Sequence, residues 1–129
     1  MIPRNERSEL LRELAASSTG ALITCDSGSM EPTIAVGQAV RVRALPSAAL
    51  RVGDVVVYEG KDGVYIMHRI VFISPARNWF LHIGDASTKA GPRRALMSSI
   101  VGRVDRQRRR PPVRVYLQAA RTFVRSYLP

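Results

Sequence analysis

Two apolar runs, Val55-Val56-Val57-Tyr58 and residues 64–73, stand on either side of Gly60-Lys61-Asp62-Gly63, and this stretch restricts the fold more than any other. β-Branched and aromatic residues suit a pleated strand, and a short glycine-bounded turn between two such runs predicts an antiparallel hairpin. The same texture continues from 21 to 104, as short apolar runs bounded by Gly, Pro, Asp and Ser. It predicts further strands at 21–24, 39–44, 79–83 and 100–103, with Gly53-Asp54 opening the strand at 55–59. Trp79 and Phe80 are expected as core or sheet-surface aromatics. Ahead of the β region, residues from 5 or 8 to about 17 predict a short helix with Leu10, Leu11 and Leu14 on one face, ended by Thr19-Gly20. The fold class expected is mainly β and antiparallel, with a short helix at each end.

A chain of 129 residues accommodates one domain, whose β core is expected at about 21–104. With 46% apolar residues it has enough to build a core. The formal net charge is +10, mostly from arginine, which points to an anionic partner. The charge concentrates at 103–114, where Arg103, Arg106, Arg108, Arg109, Arg110 and Arg114 surround Pro111-Pro112 and predict an extended linker. Residues 113–128 then show helical periodicity, with Val113, Leu117, Ala120 and Val124 opposite Arg114, Gln118, Arg121 and Arg125. Such a helix fits either an anionic membrane surface or a place on the sheet as apolar cover. Cys25 is the sole cysteine, so no intrachain disulfide can form, and its apolar surroundings suggest a small buried residue. His68 and His82 are the only histidines and no Cys/His cluster accompanies them, so no metal centre is expected. No stretch approaches the roughly 18 apolar residues that span a bilayer, and the charged N-terminus does not read as a secretory signal. The expected location is the cytoplasm, with peripheral membrane contact left open.

The chemistry-bearing residues lie in two places. Ser27-Gly28-Ser29-Met30-Glu31-Pro32-Thr33 presents hydroxyls on a glycine turn that Pro32 keeps from becoming helical. Some forty residues later, Met67-His68-Arg69-Ile70 sets an imidazole within an apolar strand. A serine hydroxyl is a weak nucleophile at neutral pH and needs a hydrogen-bonded base to remove its proton. Turn serine and strand histidine are the two parts of such a unit.

The order of these segments, followed by Val36-Gly37-Gln38, Gly53-Asp54-Val55-Val56-Val57-Tyr58, His68-Arg69-Ile70-Val71 and Gly84-Asp85, resembles the type I signal peptidases. The likeness covers about residues 25–104 and is greatest to the archaeal and endoplasmic-reticulum branch, which uses His where the common bacterial branch uses Lys. The resemblance implies a LexA/signal-peptidase-like β-fold and a serine endopeptidase acting on leaders or pro-segments. It makes Ser29 the nucleophile and His68 the general base. Arg69 takes the place of the basic residue after that base, and Asp85 that of an acid able to orient the imidazole. Ser27, Ser29 and Met30 form the oxyanion and substrate-binding set. It also implies a peptide or protein substrate with small residues, typically Ala, at the first and third positions before the cut, and no cofactor.

Two positions depart from the family pattern. The second acid expected about six residues after Gly-Asp is Gly91, and the Asn after Gly-Asp is Ala86. Either Asp85 orients His68 or the unit is a Ser29–His68 dyad, since a third group mainly fixes tautomer and ring orientation. The alternative is a catalytically silent LexA-type binding module, or a peripheral protein using its arginine tail on a membrane or nucleic acid. Nucleic acid is the less favoured partner: no helix-turn-helix precedes the β region, and LexA-type repressors carry Lys as the base.

Overall fold

The valine run at the centre of the sequence is buried on both sides. In a computed structural model, which describes residues 4–87 and 91–105, strand β3 (Val55–Glu59) sends Val55 and Val57 into one apolar cluster and Val56 and Tyr58 into another. A strand covered on both faces reads as continuous apolar sequence rather than as alternation. β3 pairs with β4 (Tyr65–Ile73) in the predicted hairpin, in the register Val56↔His68 and Tyr58↔Ile66. The turn carries two successive left-handed residues, Asp62 (φ 62) and Gly63 (φ 70), a backbone hand that matches the twist of the strands it joins.

The remaining strands are β1 (Ala21–Thr24), β2 (Ala39–Arg43), β5 (Trp79–Ile83), β6 (Arg93–Leu96) and β7 (Ile100–Val104). All pairings are antiparallel, in one seven-stranded sheet of order β1-β2-β7-β3-β4-β5-β6. Helix α1 (Arg4–Ala16) precedes them. The fold is therefore mainly β with a short N-terminal helix, as the sequence predicts. The predicted C-terminal helix and nearly all of the arginine linker lie outside the described residues, and Arg103 belongs to β7. Among the described residues no helix is long and apolar enough to cross a membrane.

Two features differ from expectation. Strand β6, Arg-Arg-Ala-Leu, carries no strand signal of its own and forms because β5 offers a free edge, pairing Phe80↔Ala95 and His82↔Arg93. Charged residues on an edge strand also discourage further strand addition. Helix α1 docks through Leu11 and Ala15, while Leu10 and Leu14 remain 46% and 47% exposed. Polar contacts choose that face. Ser8 Oγ donates to Glu59 Oε1 at 2.9 Å and accepts from Tyr65 Oη at 2.6 Å. Arg12 reaches the carbonyls of Ser98, Ser99 and Ile100 at 3.4–3.5 Å. Positions 8, 11, 12 and 15 form one helical stripe that a count of leucines alone does not reveal.

Alternation along β4 and β5 sorts the aromatics. Phe80 is fully buried in the cluster with Leu50, Val56, Tyr58, Ile70 and Met97. Trp79 lies on the sheet surface, against Phe72 (ring centroids 5.5 Å apart) and under the Arg94 guanidinium at 4.4 Å. Phe80→Ala is expected to cost about 3–5 kcal/mol of stability, with Phe72→Ala costing a fraction of that. Urea unfolding of the two variants side by side checks the assignment.

Candidate active site

The loop between β1 and β2 carries the serine turn and is closed at its base by backbone hydrogen bonds from Cys25 to Gln38 and from Gly37 to Cys25. Met30 and Ile34 are fully buried and fasten the loop to the core cluster of Val40, Val42, Val55 and Val57. Met30 therefore faces the core, with its side chain turned away from any substrate. Cys25 is buried as predicted. Ser29 is half-buried, and its Oγ lies 3.2 Å from Ser27 Oγ. The two hydroxyls named by the sequence thus stand side by side.

The turn after β5 holds this loop from the other side. Ala86 N–H donates to the Ser29 carbonyl at 3.0 Å, and Thr33 Oγ1 donates to Asp85 Oδ2 at 2.5 Å. Gly84 permits the approach. A Cβ at this position would overlap the Ser29 carbonyl oxygen and stand 3.2 Å from His68 Nε2. Segments almost sixty residues apart, from opposite ends of the sheet, meet here because one residue has no side chain. The same geometry sets His68 Nε2 on the Ser29 side of its ring.

His68 and Arg69 are consecutive in β4, so their side chains leave opposite faces of the sheet. Arg69 is fully buried. Its Nε and Nη2 donate to Asp85 Oδ1 and Oδ2 at 2.9 and 2.6 Å, and its Nη1 donates to the Gly53 carbonyl at 2.7 Å. Asp85 is the buried counter-ion of Arg69, and the expectation that it orients His68 directly is corrected here. Its carboxylate oxygens are engaged by Arg69 and Thr33, because it stands with the neighbour of His68 on the other face.

The partner at His68 Nδ1 is instead His82, whose Nδ1 lies 2.9 Å away. His82 Nε2 in turn lies 2.9 Å from Tyr58 Oη. Sequence reading singled out neither His82 nor Tyr58 for the site. A signal existed in the register: Ile70↔His82 and Arg69↔Ile83 place Gly84 opposite His68 and His82 diagonal to it on the same face. That inference requires the pairing, which composition does not supply.

Burial pushes the His68 imidazole down to about 4; the Arg93 charge acts in the same direction and Asp85 opposes it. His82 is pushed down to about 4 by burial, then by His68 and Arg93. Burial drives the Tyr58 phenol up to about 12, against a smaller pull from Arg93. Both imidazoles are therefore neutral at pH 7, and the phenol keeps its proton.

Ser29, Ile66 and His68 separate two cavities. One, of about 350 Å³, continues past Gly84, Ala86 and Ser87 to Arg93. The other, of about 690 Å³, runs between β1 and β4 past Leu22, Thr24, Val57, Tyr65 and Met67. A hydroxyl and an uncharged imidazole on the ridge between two grooves can serve acyl transfer on a chain lying across both. Comparison with protein-family models, with curated proteins and with solved structures finds no match.

Asp85→Asn would remove the charge that the buried Arg69 guanidinium meets at 2.6 Å and is expected to cost about 3–5 kcal/mol. Urea denaturation measures it. A variant as stable as the wild type would show that the ion pair does not hold this turn.

Proposed function

We propose that this chain is a signal-peptidase-like serine endopeptidase that removes a leader or pro-segment from a peptide or protein. The observation that carries the reading is the meeting of Ser29, on its clamped turn, with the Nε2 side of His68 across Gly84. In this mechanism Ser29 Oγ attacks the scissile carbonyl as His68 Nε2 takes its proton. Ser27, 3.2 Å from the nucleophile, donates to the developing oxyanion, an interaction commonly contributing about 3–4 kcal/mol to the transition state. His68 returns the proton to the leaving amine, and water hydrolyses the acyl-enzyme with the same base. No metal or organic cofactor enters these steps.

The Ser29 hydroxyl stands beside that of Ser27, and the proposed mechanism requires a side-chain rotation that turns it to His68. Catalytic hydrogen bonds of this kind often tighten only once substrate is bound. The larger groove supports an extended substrate. Among the described residues β1 pairs with β2 alone, so its outer edge can hydrogen-bond an added strand leading to Ser29. Small residues before the cut follow from the family resemblance. The strong positive charge favours an anionic membrane surface as a secondary partner.

Ser29→Ala and His68→Ala are each expected to abolish cleavage, and the double variant to add little, since members of one catalytic unit are non-additive. The pH profile of kcat/KM carries a second signature. A lowered pKa leaves His68 unprotonated, and able to accept, well below the usual histidine range, so activity falls only as pH drops through about 4. Steady-state cleavage of a quenched fluorescent peptide, with Ala at the first and third positions before the cut, measures both. Wild-type turnover by Ser29→Ala overturns the reading.

A further inference from the structure

The family position that would supply a second acid is Gly91, Asp85 forms its ion pair with Arg69, and the side chain that faces His68 Nδ1 among the described residues is not a carboxylate. An imidazole occupies that place. We propose that His82, seated on Tyr58, is the positioning residue that fixes the tautomer and ring orientation of His68, in the role a carboxylate plays in a Ser-His-Asp triad. The inference rests on the peptidase reading of Ser29 and His68.

The proton count carries it. Two neutral imidazoles hold two protons among four nitrogens, and the facing Nδ1 atoms, 2.9 Å apart, share one of them. In one arrangement His68 Nδ1–H donates to His82 Nδ1, and the His82 proton sits on Nε2 and donates to Tyr58 Oη. His68 Nε2 then carries a free lone pair on the Ser29 side. In the reverse arrangement Tyr58 O–H donates to His82 Nε2, His82 Nδ1–H donates to His68 Nδ1, and His68 bears its proton on Nε2, where it cannot accept another. Only the first is productive. As the Ser29 O–H bond breaks and its proton moves to Nε2, His68 becomes imidazolium with both nitrogens donating. The bond to His82 Nδ1 then becomes charge-assisted and strengthens in the transition state.

The surroundings suit this task. His82 is buried, with its ring centroid 4.6 Å from that of Tyr58 and 5.6 Å from that of Phe80, so it cannot swing away. The charged and titratable groups acting on the two rings are Tyr58 on β3, Arg93 on β6 and Asp85 beyond β5. Burial, the charge of a protonated His68 and the Arg93 charge all oppose protonation of His82, which keeps it an acceptor when His68 turns positive.

Two substitutions and one spectroscopic measurement test the proposal on the full chain. His82→Leu removes the acceptor at similar size, and His82→Asp restores one, because a carboxylate Oδ is the same number of bonds from the backbone as Nδ1. Cleavage of the Ala-containing peptide is expected to fall in kcat by roughly 10²–10⁴-fold in His82→Leu with KM little changed, on the scale of losing a triad orienter. His82→Asp is expected to remain within about tenfold of wild type and to move the acid limb of the pH profile upward, as an added negative charge favours the imidazolium. Nitrogen-15 shifts of the His68 ring, read at pH 7, should show Nδ1–H in the wild type and a shift of population to Nε2–H in His82→Leu. Wild-type turnover by His82→Leu overturns the proposal. So does a folded His82→Asp as slow as His82→Leu, or a wild-type His68 ring protonated at Nε2. The ring shifts do not depend on turnover, so failure of the peptidase reading, seen as cleavage that survives Ser29→Ala, is distinguished from failure of this one.

Discussion

The Asp85 carboxylate and the Arg69 guanidinium meet with both side chains withdrawn from water, and the placement of the serine turn depends on that contact. Two ions taken out of solvent are stable only with full hydrogen bonding, and here the pair recruits partners from distant segments. Arg69 also holds the Gly53 carbonyl at the start of β3, and Asp85 also takes the Thr33 hydroxyl from the serine loop. Strand, turn and loop are drawn to one point. With the Ala86 bond to the Ser29 carbonyl, this fixes the loop after β1 against the loop after β5, although five strand positions separate β1 and β5 in the sheet.

A division of labour follows from the pleat of β4. His68 and Arg69 are neighbours in sequence and therefore point to opposite faces. One face carries the ion pair that determines where the turn sits; the other carries the row Tyr58, His82 and His68. Chemistry and support are one residue apart in the chain and one sheet thickness apart in space. Gly84 lets the two systems touch, because any Cβ there would overlap the Ser29 carbonyl and crowd the His68 ring.

The surroundings hold the histidine pair uncharged. Burial and the nearby Arg93 hold both imidazoles neutral, whereas a bonded carboxylate would favour the protonated ring. A base kept neutral this way is a weaker proton acceptor, but it is in its working form over a wider pH range. In the proposed mechanism its orientation comes from a neutral acceptor, and His82 stands in the place to supply one.

Much of the fold was legible in the sequence because strand-forming runs and glycine turns act locally. The hairpin at 60–63, the strands at 21–24, 55–59 and 79–83, and the burial of Cys25 all follow from periodicity and residue type. The sequence also marked Ser27, Ser29 and His68 through their motifs, and the structure brings them to one ridge. What it left open depends on which residues become neighbours across strands. Strand β6 exists because β5 needed a partner, and α1 chose its face through Ser8 and Arg12. Asp85 went to Arg69, and His82 came to His68, because strand register sets those pairings. Sequence by itself determined a mainly β chain carrying a serine turn and a strand histidine. Only the tertiary structure decided which group stands behind that histidine, because long-range pairing, unlike local propensity, is settled by the packing of the whole sheet.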